Sequence, residues 1–174
     1  MIDPVQSARR LGVDDAKIIP VDRVVVADWV RLKCQFGCGG YGECLTCPPY
    51  SPSPLETRRV LESYQRALLM RLDGQGGEER EAELRLKLHR AVADLERELF
   101  LAGYHNAWGM TAGPCPLCDT CDVTEACKYP SLARPSMEAC GIDVFSTVRR
   151  ADWDIGVVPT PDSPFSLFGL VLIE

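Results

Sequence analysis

Cysteine is the residue type in this chain best placed to do chemistry. Its nine copies are crowded into two short stretches. Cys34, Cys38, Cys44 and Cys47 form the first. Cys115, Cys118, Cys121 and Cys127 form the second, with Cys140 beyond it and none between residues 47 and 115. An odd number cannot pair completely as disulfides. Met1-Ile2-Asp3-Pro4 offers neither a basic patch nor an apolar run, so no secretory signal is expected. The expected location is the cytoplasm, where disulfides rarely persist. Dense thiols in that setting read as metal ligands.

The second stretch has the form Cys115-x2-Cys118-x2-Cys121-x5-Cys127. Three cysteines at steps of three wrap around one centre, and a cubane cluster needs four thiolates at tetrahedral corners. Bacterial ferredoxins use the related run C-x2-C-x2-C-x3-C-P, whose fourth cysteine binds the other cluster in two-cluster members. Here the last gap is longer and Pro130 follows Cys127 only after two intervening residues. The spacing therefore leaves open whether Cys127 closes the same cluster as Cys115, Cys118 and Cys121. A zinc ribbon usually shows two separated C-x2-C pairs. The run therefore favours iron–sulfur, with zinc as the alternative.

The first stretch, Cys34-x3-Cys38-x5-Cys44-x2-Cys47, differs from the C-x3-C-x2-C run of radical S-adenosylmethionine enzymes. Its four thiols suffice for a closed site. Gly37, Gly39, Gly40 and Gly42 let the backbone wrap tightly and aim amides at cluster sulfurs, which raises reduction potential. Pro48-Pro49 stiffens the exit.

The elements that must carry these loops are read from local signals. Asp3-Pro4 opens a helix that Gly12 ends. Residues 17–20 and 24–32 are rich in β-branched residues and read as strands, the second feeding into Cys34. Ser53-Pro54-Leu55-Glu56 has capping-box spacing and opens a helix to about residue 64. Residues 67–72 read as a buried strand. Residues 78–102 form the clearest helix, with Leu84, Leu88, Ala91, Leu95 and Leu99 as its apolar stripe. Residues 107–112 read as a strand, 136–142 as a helix and 166–173 as an apolar strand. The expected fold is α+β: a small sheet covered by helices, with two cysteine-rich cluster-binding loops, in one domain spanning 1–174.

The chain has 174 residues, 46% hydrophobic and 25% charged, with a net charge of -6. That composition fits a globular protein and argues against nucleic-acid or anionic-membrane binding. No apolar run approaches the roughly 20 residues needed to span a bilayer.

Several other residues invite a role. His89 reads as a solvated residue of the long helix, and His105 as a candidate ligand or outer-shell donor without a spacing motif. Cys140 reads either as a ligand or as a small buried apolar residue. Arg134, Ser136, Glu138 and Asp143 read as structural and capping residues, with the lining of a pocket as the alternative. Tyr41 and Trp108 read as packing around the clusters.

Taken together, the sequence resembles an uncharacterised family of predicted metal-binding proteins of bacteria and archaea. The matching residues are Val30-Arg31-Leu32-Lys33-Cys34, Cys38-Gly39-Gly40-Tyr41-Gly42 and Cys47-Pro48-Pro49. They continue with Gly113-Pro114-Cys115 through Cys127, Arg134-Pro135-Ser136-Met137-Glu138-Ala139 and Gly141-Ile142-Asp143-Val144. The resemblance implies metal binding, of iron–sulfur type, and no established reaction. It also implies seven fixed thiols, with Cys44 and Cys140 as extras. Seven make four ligands plus three, and a three-thiolate cluster leaves one iron open.

The functional expectation is electron transfer by two 4Fe–4S clusters, serving a redox partner protein. The ligands are Cys34, Cys38, Cys44, Cys47, Cys115, Cys118, Cys121 and Cys127. The alternatives are a redox or Lewis-acid enzyme using an open iron, and a zinc-stabilised scaffold domain.

Overall fold

The computed structural model describes residues 2–174; Met1, where the N-terminal reading starts, lies outside them. Asp3 caps helix α1 (Pro4–Arg10), its carboxylate accepting from the Val5 and Gln6 amides at 3.0 and 3.3 Å. Strand β1 (Asp15–Pro20) follows, then helix α2 (Asp28–Gly37). Helix α3 (Pro54–Leu61) opens on the expected capping box. The Glu56 amide donates to Ser53 Oγ at 3.2 Å, and the Ser53 amide donates to Glu56 Oε2 at 2.7 Å. Beyond it come β2 (Arg66–Gly74), α4 (Glu78–Leu101), β3 (Trp108–Met110), α5 (Val144–Arg150) and β4 (Phe165–Leu172).

The strands form one antiparallel sheet in the order β1-β2-β4-β3. Both faces are covered, which is why β2 and β4 read as almost unbroken apolar runs. The period of two still sorts their side chains. Leu68, Met70, Leu72, Val171 and Ile173 pack with Leu84, Leu88, Val92, Leu95 and Leu99 of α4. Ala67, Leu69, Phe168, Leu170 and Leu172 pack on the opposite side with Met137, Cys140, Ile142 and Val148. Helix α4 presses close to the sheet, and a Cβ added at Gly109 would stand 2.5 Å from Val92 Cγ1. The expected α+β class, a small sheet with helices over it, is what the structure shows.

Two local readings are corrected. Residues 24–32 are not a strand. Val26 makes a single bridge to Ile142, and the chain then turns into α2, which carries Cys34. The β-branched run supplies that bridge, but from Asp28 onward backbone bonds close within the helix and Val30 faces the interior. Residues 136–142 form only a short 3-10 turn, Glu138–Cys140. Gly141 ends it at φ +79°, and a Cβ there would meet Pro54 Cγ at 2.7 Å. Helix α5 lies outside the elements expected from the sequence, although Asp143 caps it by accepting from the Ser146 amide at 3.0 Å. Among the described residues, no helix is long and apolar enough to cross a membrane.

Candidate metal centre

The two cysteine loops adjoin each other: a Cβ added at Gly40 of the first would lie 3.8 Å from Pro114 Cβ of the second. Helix α2 ends at Gly37, so Cys34 lies in its last turn and Cys38 just past it in extended backbone. The chain then folds back on itself, with the Gly42 amide donating to the Pro48 carbonyl at 2.8 Å and the Cys47 amide to Cys44 at 2.9 Å. Side chains pin this loop to the Glu138–Cys140 turn. Ser51 Oγ donates to the Ala139 carbonyl at 2.6 Å and Thr57 Oγ1 to that of Cys140 at 2.7 Å, while Arg31 of α2 ties the loop's exit through the Pro52 carbonyl at 2.6 Å. The second loop leaves β3 through Thr111, which bridges to Ser136.

An ion pair holds the return of that second loop. Arg134 clasps Glu96 of α4 with two bonds of 2.7 and 2.6 Å, and the Gly109 amide donates to the same carboxylate at 2.7 Å. Glu96 raises the Arg134 pKa further through those bonds. The reading of His89 as solvated is overturned. It is fully buried, and its Nε2 lies 2.9 Å from the Leu132 carbonyl in that returning segment. The apolar stripe of α4 is wider than one line of leucines. Position 89 therefore faces the loop, and Ala93 on the same side is buried as well.

The eight thiols named from the sequence fall into two adjoining sets. Cys38 and Cys47 converge over Gly40, where an added Cβ would lie 3.6 and 3.8 Å from their sulfurs. The Gly40 amide donates to Cys38 Sγ at 3.4 Å. Cys34 adjoins them, and its thiol reaches the Glu138 carbonyl at 3.9 Å. Burial pushes the Cys34 thiol up, and Cys38 beside it adds to the effect. Cys44 belongs to the first loop by sequence but faces the second. Hydrogen bonds from Cys115 and Cys47 hold its thiol below the usual range, and Thr46 Oγ1 lies 3.3 Å away. The same bonds push Cys115 and Cys47 up. At Cys121 the Leu45 amide favours the thiolate, but burial and Cys44 outweigh it and the net direction is up. Cys118 acts on Cys121, and Cys127 on Cys115. Among the described residues, no three His, Cys, Asp or Glu side chains close around the position of a single ion.

A cavity of about 800 Å³ opens beside the first set. Cys34, Cys38 and Cys47 are the thiols in its wall, with Tyr41, Lys33 and Glu138 nearby. Glu138 is partly exposed as a residue, but its Oε2 is enclosed and has no hydrogen-bond partner among the described residues. Burial pushes that carboxyl up, against the pull of Ser136, the Gly113 amide and Arg85. The far wall comes from residues 154–158 and from Phe165 and Phe168. No local signal marks those residues, because the end of the chain brings them to the site.

The remaining candidates lie elsewhere. His105 is exposed at the end of the turn after α4. Cys140 is fully buried in the core with Met137 and Ile142, and burial pushes its thiol up to about 12. Trp108 lines a smaller pocket with Cys127. Arg134 is structural, while Ser136 and Asp143 both cap local turns and line the cavity, Ser136 Oγ accepting from the Ala139 amide at 3.0 Å.

The residues present fit a soft, sulfur-bound metal group. The donors are thiols only, an amide already points at Cys38 Sγ, and Gly40 leaves the space between two sulfurs free of a side chain. No curated protein and no solved structure matches the chain. A sequence model of the family described as "Predicted metal-binding protein (DUF2284)" matches residues 17–173, a span that contains both cysteine loops, and the chain belongs to that metal-binding family.

Proposed function

We propose that the protein holds two iron–sulfur clusters of the 4Fe–4S type and acts in electron transfer. The observation that carries this reading is that the two cysteine loops adjoin: a Cβ at Gly40 would lie 3.6 and 3.8 Å from the Cys38 and Cys47 sulfurs and 3.8 Å from Pro114 Cβ of the second loop. Cys34, Cys38 and Cys47 would hold one cluster. Cys115, Cys118, Cys121 and Cys127 would hold the other, with Cys44 between the two sets. Bound clusters supply one-electron storage at a potential tuned by ligand hydrogen bonds and burial. The Gly40 amide at Cys38 Sγ is such a bond. The net charge of -6 suits encounter with a basic redox partner protein.

A second reading makes the cavity-side cluster a redox or Lewis-acid catalyst with an open iron. The wall of the cavity favours it, since only three thiols, Cys34, Cys38 and Cys47, line that wall.

Purification without oxygen, followed by iron, sulfide and zinc analysis, tests the main reading. The expected product is brown, with about eight irons and eight acid-labile sulfides per chain and a signal on reduction. Colourless protein with zinc and no sulfide would overturn it and leave a zinc-stabilised scaffold.

A further inference from the structure

The cavity is built for a particular kind of molecule. Its volume of about 800 Å³ lies within the range of small-molecule sites. The wall is mostly apolar, with Ala112, Ile142, Leu167 and Phe168 inside and Trp29 and Val157 toward solvent. Trp29 is 50% exposed and Val157 81% exposed. Large apolar side chains left in water around one opening mark a surface that something covers.

The charges narrow the class. Among the described residues, no arginine lines the cavity, and Lys33 is its one cation. Asp73 in the wall is already paired with Arg71 at 3.3 Å, but Asp154 has no ion-pair partner among the described residues. A phosphate or carboxylate ligand would find a single lysine there and no bidentate arginine, facing the Glu138, Asp143 and Asp154 carboxyl groups of the same wall. The polar end carries three thiols, the Tyr41 side chain and the enclosed Glu138 carboxyl.

We propose that this cavity binds an uncharged or cationic, largely apolar small molecule, with a donor atom of that molecule directed at the group held by Cys34, Cys38 and Cys47. The inference rests on the iron–sulfur reading above, in its three-thiol form. Apolar surface of the ligand would cover Trp29 and Val157, and the wall would exclude water from the three-thiol end.

Anaerobically purified, cluster-loaded protein is titrated with 4-phenylimidazole and, separately, with imidazole, and the electron paramagnetic resonance spectrum of the reduced protein is followed. The expected result is a shift of one cluster's signal, with 4-phenylimidazole acting at a concentration at least tenfold lower than imidazole. Ala112→Phe fills the cavity and should abolish that preference with iron content unchanged. Val157→Asp, at an exposed position that folding does not depend on, should weaken 4-phenylimidazole at least threefold and leave imidazole unaffected. Loaded protein whose spectrum ignores both compounds overturns the proposal, as does a preference that survives both variants. Protein without iron and sulfide overturns the underlying reading, and the proposal with it.

Discussion

Cys44 lies beside Cys115, although the two belong to different cysteine loops. That contact places a buried first-loop thiol against the second set. Cys115, Cys118, Cys121 and Cys127 still supply four thiolates without it. Cys44→Ser should therefore keep its iron and sulfide content, while Cys47→Ser should lose about half of each. Metal analysis of the two variants checks this. A halved iron content in Cys44→Ser would make Cys44 a ligand.

Gly40 keeps a side chain out of the gap between Cys38 and Cys47. In Gly40→Ala the new methyl lies at ordinary contact distance from both sulfurs, so the metal-free fold should melt within about 2 °C of the parent. The space for a bound group shrinks, and iron incorporation should fall by more than half. Iron analysis beside a thermal melt separates the two effects.

The Arg134–Glu96 pair has only 15% exposure on each side chain and ties the returning second loop to α4. Arg134→Ala leaves Glu96 with the Gly109 amide alone, and should cost about 2 kcal/mol, lowering the melting temperature by about 6 °C. A double-mutant cycle with Glu96→Ala should give a coupling above about 1 kcal/mol. Additive losses would mean the pair is not a unit.

His89 ties stability to pH. Burial lowers its pKa, Arg134 adds to that, and the Leu132 carbonyl opposes it. The unfolded chain therefore takes up the proton first. Stability from this group is complete above the unfolded value of about 6.5 and is lost as pH falls below it. The melting temperature should drop between pH 7 and 5, and His89→Gln should flatten that slope. An equal slope in both proteins would assign the loss to other groups.

The elements legible in the sequence rest on near neighbours along the chain. The stripe of α4 repeats every three or four residues, the Ser53–Glu56 box closes within one turn, and β2 and β4 are apolar enough to demand burial on both faces. The cysteine clusters are legible for the same reason, because their spacing lies within a single loop. Tertiary contacts decided the rest. Val26 finds Ile142, so its neighbours never form the strand that their composition favours. His89 finds the Leu132 carbonyl, and Cys44 finds Cys115. The cavity takes its walls from α2, the Glu138–Cys140 turn and the last quarter of the chain. Such pairings depend on which faces the sheet leaves to be covered, and no local spacing records that.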